Sequence, residues 1–159
     1  MADFSKYGIF PEKGRNYENI AYVLALIYNI CEKRVDKLLS SYNLTLAKYN
    51  LLLVVRFQAK EEGITQVEIG RRLIVTAGNI TKLITALAKE NLIEAKQNKN
   101  NRRENLVKIT KKGFDLIEEV WPVYNSLIKE ITDLIPEKDQ NKLANILADW
   151  FLKLQEVGK

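Results

Sequence analysis

The chain has 159 residues, of which 47% are hydrophobic and 28% charged, a length and balance that suit one packed domain. Only three prolines and seven glycines interrupt it, which favours long helices over a β-sandwich, and its single cysteine excludes an intramolecular disulfide framework. Net charge is +5 with a pI near 9.2, a weak pointer to an acidic partner.

The first residues, Met1 to Lys6, lack the basic-then-apolar plan of a secretory signal. No stretch approaches the roughly 18 apolar residues of a membrane span. A soluble, cytoplasmic protein with no membrane partner is expected. The distribution of charge says more than its sum. Residues 65–112 carry eleven Lys/Arg against four acids, a balance of +7. The remainder carries fourteen against sixteen, or −2, so the whole excess sits in the middle third. That is the layout of a phosphate-facing surface flanked by neutral scaffolding.

Residues 1–16, broken by Gly8, Pro11 and Gly14, read as an irregular N-terminal arm. From Tyr17 a helical period takes over, with Ile20, Val23, Leu24, Ile27, Cys31, Val35, Leu38 and Leu39 at steps of three and four. Asn43 interrupts it. Thr45 caps a second helix carrying Tyr49, Leu52, Leu53 and Phe57, which Gly63 closes. Thr65 and Glu68 form a capping box that opens a short third helix burying Ile69 and Leu73. Ile74 and Val75 make a tight connection, and Thr76 caps a fourth helix. One face of that helix carries Ile80, Leu83, Ile84 and Leu87; the other carries Asn79, Lys82, Thr85 and Lys89.

Periodicity then turns strand-like. Leu92, Ile93 and Ala95 lead into the basic run Lys96 to Arg103, and Leu106, Val107 and Ile109 return as a second strand, giving a two-stranded β-hairpin. Thr110 caps the next helix. Its stripe is Phe114, Ile117, Val120, Trp121, Tyr124, Ile128 and Ile131, with Pro122 expected to kink it. Pro136 begins a last helix striped by Leu143, Ile146, Leu147, Trp150, Phe151 and Leu154.

Helix, tight turn, helix and hairpin, in that order, make a winged helix-turn-helix. Its second helix presents polar residues to the major groove while the first braces it, and the wing carries arginines to the minor groove. The residue types suit those tasks. Gly78 removes a side chain where backbone and DNA approach. Asn79 offers donor and acceptor to adenine, Thr81 or Thr85 contacts phosphates or thymine methyls, and Lys82 suits phosphate or guanine. The free N–H groups of the Thr76 turn can hold a phosphate. Arg71, Arg72, Lys96 and Lys112 supply phosphate contacts that make binding salt-dependent.

The run from Ile64 through Gly113 resembles the DNA-binding core of the MarR family of regulators. The matching pieces are Thr65-Gln66-x-Glu68-Ile69-Gly70, the recognition helix Thr76-Ala77-Gly78-Asn79-Ile80-Thr81-Lys82-Leu83-Ile84, and Asn91-Leu92-Ile93. They continue through Asn101-Arg102-Arg103 to Val107-x-Ile109-Thr110-x-x-Gly113, and Leu44 to Tyr49 matches as well. The likeness covers roughly residues 17–155.

The resemblance implies a mainly α fold with an N-terminal arm at 1–16, a helical dimerisation region at 17–45 and 111–159, and a winged helix-turn-helix at 46–110. It implies a homodimer reading a palindromic operator in double-stranded DNA as a transcriptional regulator, a repressor by preference. Two recognition helices would enter major grooves roughly 34–36 Å apart. It places Arg103, beside Arg102, in the minor groove. The family usually has Asp two residues before that arginine, and here it is Asn101, which can hydrogen-bond a guanidinium but not pair its charge. A cleft between the dimer and DNA-binding parts admits small aromatic or lipophilic effectors in this family, with Tyr28 and Tyr49 as candidate lining residues.

Blander readings stand beside these. The aromatic stripe of Trp121, Tyr124, Trp150 and Phe151 is core or dimer interface sooner than a ligand box. Some relatives sense peroxide through a cysteine in the first helix, but that position falls near Ala21. Cys31, on the apolar stripe, reads as a small hydrophobe. An enzyme fares poorly: the chain has no histidine and no Gly-rich phosphate loop, and neither a metal nor a cofactor is expected. A non-specific architectural DNA-binding protein and a basic protein-interaction module remain the alternatives.

Overall fold

A computed structural model of the chain describes residue 7 and residues 16–73, 77–98 and 104–157. The elements run α1 (Asn16–Ser40), α2 (Leu46–Gln58), β1 (Ile64–Thr65), α3 (Gln66–Arg72), α4 (Ala77–Lys89), β2 (Ile93–Gln97), β3 (Asn105–Ile109), α5 (Lys111–Thr132) and α6 (Glu137–Val157). Apart from Tyr7 and Asn16, which begins α1, the N-terminal arm lies outside the described residues, as do the 74–76 connection and the wing tip at 99–103. The chain divides into two compact units, Met1–Val120 and Trp121–Lys159.

In the first unit, two helices stop on the same device. Asn43 and Asn91 adopt left-handed backbone, with φ of 56° and 59°. The following amides close back onto the helix: Leu44 N donates to the Leu39 carbonyl at 3.0 Å, and Leu92 N to that of Leu87 at 2.9 Å. Asparagine tolerates this conformation better than other residues with a Cβ, and the paired bonds satisfy carbonyls the helix end would orphan. Helix α2 then starts on Thr45, whose hydroxyl accepts from Lys48 N, while Asp36 of α1 accepts from Leu46 N at 2.7 Å. Two of the free donors at the start of α2 are thus satisfied by side chains.

Helix α2 ends at Gln58, with Ala59 N bonded to the Val55 carbonyl, and not at Gly63 as the sequence suggested. Gly63 instead holds φ +112° at the entry to β1. That two-residue strand pairs antiparallel with β3, Ile64 opposite Val107, so the wing is a three-stranded sheet in the order β1-β3-β2. The hairpin proper is β2 with β3, in register from Ile93 opposite Ile109 to Gln97 opposite Asn105. The capping box forms as expected: Thr65 Oγ1 accepts from Glu68 N, and Glu68 Oε2 accepts from Thr65 N at 3.2 Å. Those bonds from the Thr65 amide and hydroxyl hold the Glu68 carboxyl below its usual range.

The core joins these elements. Leu39, Tyr49, Leu51, Leu52, Val55, Ile69, Leu87, Val107 and Val120 are fully buried, so helices α1 to α5 and the sheet all contribute. Arg56 of α2 reaches α5 at its edge, pairing with Glu118 at 3.0 Å and lying over the Phe114 ring at 3.8 Å.

The tightest junction is at the start of α5. Thr110 N donates to the Leu92 carbonyl at 3.1 Å. Its hydroxyl donates to the Asn91 carbonyl at 2.7 Å and accepts from Gly113 N at 3.0 Å. Gly113 lies so close that a Cβ there would stand 2.0 Å from the Leu92 carbonyl oxygen.

In the second unit, α5 ends at Thr132 and α6 begins at Glu137, and Gln140 Nε2 donates to the Ile135 carbonyl in the turn between them at 3.0 Å. Trp121 and Tyr124 stack with centroids 6.4 Å apart. Helix α6 buries no residue. Its stripe of Leu143, Ile146, Leu147, Phe151 and Leu154 is exposed.

Gly113→Ala should therefore destabilise the fold by about 3 kcal/mol, the upper range for forcing extra volume into a packed site. The thermal midpoint should fall by roughly 6–12 °C. An unchanged midpoint would show that α5 does not depend on this contact.

Candidate nucleic-acid interface

Helix α4 separates its residues by face. Ile80, Ile84 and Leu87 are buried, whereas Gly78, Asn79, Thr81, Lys82 and Thr85 are all exposed. The apolar face anchors the helix on the core and leaves the polar face outward, as a reading helix requires. Ala77 begins the helix. Thr76, Arg102 and Arg103, all assigned to DNA contact from the sequence, lie outside the described residues, as does Asn101.

The structure sorts the predicted cations. Arg71 and Lys82 are exposed, and among the described residues neither has an ion-pair or hydrogen-bond partner. Lys96 pairs with Glu94 at 2.8 Å, and that bond and charge hold the Glu94 carboxyl below its usual range. The pair is exposed and worth at most about 1 kcal/mol, little enough for a phosphate to take the lysine over. Lys112 Nζ donates to the Glu90 carbonyl at 2.9 Å, just past the end of α4, where the helix dipole favours a cation. Arg72 Nη1 donates to the Glu68 carbonyl at 2.9 Å. Lys112 and Arg72 thus also hold backbone.

Two contacts escaped the sequence reading because each joins residues far apart along the chain. Lys48 Nζ meets Glu90 at 2.6 Å, tying α2 to the end of α4. Gln66 Nε2, at the start of α3, donates to Thr81 Oγ1 on the outward face of α4 at 2.5 Å. Thr85 bonds its own helix, its hydroxyl donating to the Thr81 carbonyl at 2.9 Å. That proton is not available to a phosphate, which leaves Thr85 its oxygen lone pairs and its methyl group.

A cleft of about 560 Å³ opens between α1, α2 and α3. Tyr28, Glu32, Asp36, Asn50, Leu53 and Arg72 are among its lining residues. Tyr28 donates to Glu32 at 3.1 Å, and this bond, with the nearby acids, raises its phenol above the ordinary tyrosine value. Tyr49, the other residue proposed for such a cleft, is completely buried in the core. Among the described residues no helix is long and apolar enough to cross a membrane.

A family model described as "MarR family" matches residues 51–105, the stretch from within α2 to the start of β3. The chain is 24% identical over 156 residues to the HTH-type transcriptional repressor YetL of Bacillus subtilis (strain 168), covering 94% of this chain and 93% of that protein. A MarR-like transcription regulator from Bacillus cereus superposes with a TM-score of 0.79 at 21% identity, over 89% of this chain and 99% of the other. A MarR variant from E. coli complexed with operator DNA gives 0.76 at 22% identity, over 87% and 98%. These structural likenesses establish the winged helix-turn-helix fold.

Gly78 offers a direct test of the outward face. A Cβ there meets nothing within 4 Å, so the fold does not need glycine at this position. Gly78→Ala should leave the thermal midpoint level or raised, since alanine is favoured in helices by up to about 1 kcal/mol. If DNA approaches the backbone there, the same variant should lose at least tenfold in affinity. A stable variant with undiminished DNA binding would remove Gly78 from the interface.

Proposed function

From the premise that this chain belongs to the MarR family of transcriptional regulators, we propose that it binds a palindromic operator as a homodimer and represses transcription from it. The observation that carries this reading is the division of α4. A helix held on the core by Ile80, Ile84 and Leu87 turns Gly78, Asn79, Thr81, Lys82 and Thr85 to solvent, next to a basic wing. Asn79 and Lys82 read base edges, and Arg71 and Lys82, which pair with no acid among the described residues, reach phosphates. Lys96, Lys112 and Arg72 add positive charge from the wing and the helix ends. Arg102 and Arg103 extend the contact from the wing tip into the minor groove, and Thr76 and Ala77 open the recognition helix toward the phosphates.

The dimer follows from apolar surface that each unit leaves bare. On α1, Tyr17, Ile20 and Ile27 are exposed, and on α6 so are Ile146, Phe151 and Leu154. Stripes of this kind on a monomer mark an interface. The two-fold symmetry of a homodimer then sets a two-fold symmetric operator. Replacing Ile146 and Phe151 together by Asp should convert the dimer to monomer in light scattering. It should also reduce operator affinity at least a hundredfold. A dimer that persists would move the interface off α6.

Release belongs to the cleft lined by Tyr28 and Arg72. A small aromatic or lipophilic molecule there would lie against α3, which braces the recognition helix. It would weaken DNA binding by its differential affinity for the free and bound arrangements.

The central experiment is binding to fragments of the protein's own upstream region across a salt series, beside random competitor DNA. The expected result is tight binding to one palindromic fragment, with affinity falling linearly on a log–log salt plot. Arg103→Ala should weaken it at least tenfold. Equal, weak binding to every fragment would favour an architectural role, and no binding at low salt would end the DNA-binding reading.

A further inference from the structure

Among the contacts that the mechanism above does not use, one joins the two helices of the helix-turn-helix on their outer side. Gln66 is the first residue of α3 and Thr81 lies a turn into α4. Gln66 Nε2 donates to Thr81 Oγ1 at 2.5 Å. Thr81 is exposed and Gln66 half-buried, so the bond sits at the rim between brace and reading helix. Capping does not account for it, because the N-terminal duties of α3 fall to Thr65 and Glu68. Nor is Thr81 occupied as Thr85 is: Thr85 gives its proton to the helix backbone, whereas the Thr81 hydroxyl has no acceptor among the described residues. The Gln66 Oε1 likewise has no donor among them.

An exposed hydrogen bond between two side chains contributes little net stability. Its consequence is orientation. With Thr81 Oγ1 accepting from Gln66, the hydroxyl proton is turned away from α3, and Gln66 Oε1 is left as an acceptor close by. Reversing the amide exchanges the two roles and leaves the same outward pattern, one donor beside one acceptor. In the major groove, an acceptor beside a donor is what adenine shows at N7 and N6, and the complementary pair reads it in two bonds.

Resting on the DNA-binding reading above, we propose that Gln66 is a positioning residue for sequence recognition. It holds the Thr81 hydroxyl, and the two side chains together read one adenine in each half of the operator. The specificity surface therefore extends from α4 onto the first residue of α3.

The test uses the full-length dimer and a set of operators in which each base pair of the half-site is replaced in turn. Gln66→Met preserves length and apolar packing while removing the polar end, and its thermal midpoint should match the parent. Gln66→Met should bind the operator about tenfold to a hundredfold more weakly. It should also lose the parent's preference for A·T at one half-site position, with affinity for random DNA and the salt slope unchanged. Thr81→Val should lose the same preference. The double variant should be little worse than either single one, because the pair acts as a unit.

Three results would overturn the proposal. Equal weakening on operator and random DNA, with a shallower salt slope, would make Gln66 a phosphate contact. Additive losses in the double variant would make the two residues independent. Unchanged operator preference in a stably folded Gln66→Met would leave the bond merely structural. A parent protein that selects no operator would instead remove the DNA-binding reading itself, so the two failures are distinct.

Discussion

The first unit depends on how closely α5 can approach the turn between α4 and β2. The Gly113 position admits no Cβ, because the Leu92 carbonyl oxygen would lie 2.0 Å from it. Thr110 fills the remaining space with bonds to the carbonyls of Asn91 and Leu92. This one junction fixes three directions at once. It sets the start of α5, it holds the left-handed Asn91 that ends α4, and it places the first residue of β2. Since β2 opens on Ile93, paired with Ile109 just before Thr110, the base of the hairpin is closed on both sides by the same contact.

From that junction the geometry of the outward face follows. Helix α4 is held at its far end by the Leu92–Leu87 bond and by Lys48 and Lys112, both on Glu90. It is held along its length by Ile80, Ile84 and Leu87. Its polar residues are then presented from a rigid support, which is what the proposed discrimination between base edges demands: a reading group misplaced by an ångström loses much of its hydrogen-bond energy. The cations near this face do two kinds of work. Arg71 and Lys82 are uncommitted among the described residues, whereas Arg72 and Lys112 also bond backbone carbonyls, that of Glu68 in α3 and that of Glu90 just past α4. Charge counted along the sequence treats all four alike.

The second unit and the N-terminal half of α1 show the opposite economy. Residues such as Ile20, Ile27, Ile146 and Phe151 have the spacing of buried stripes and yet lie exposed in the isolated chain. A protein of this size does not leave so much apolar surface in water without a use for it. In the homodimer proposed above, such stripes would hold two reading helices at a fixed separation and make DNA binding sensitive to that spacing.

The sequence by itself determined the elements and their order, because the signals for them are local. Helical periods, the Thr65–Glu68 capping box, the Thr45 and Thr110 caps and the short apolar run of β3 each span a few residues, and each stands in the structure where expected. The motif Thr110-x-x-Gly113 was legible as a signature, but its reason was not, since the Leu92 carbonyl that excludes a side chain lies 21 residues earlier. Only the tertiary structure decided the rest. Strand β1 is two residues long, too short to show a period, and exists because β3 offers it an edge. Gly63 reads as a helix stop but serves the approach to that strand. Tyr49 shares a helical stripe with Leu52 and Leu53, and burial settles it in the core while Tyr28 faces the cleft. The bond between Gln66 and Thr81 joins residues on two helices, and no pattern within either helix could announce it. Local physical chemistry writes the elements; which faces meet depends on long-range packing that a single chain of letters does not display.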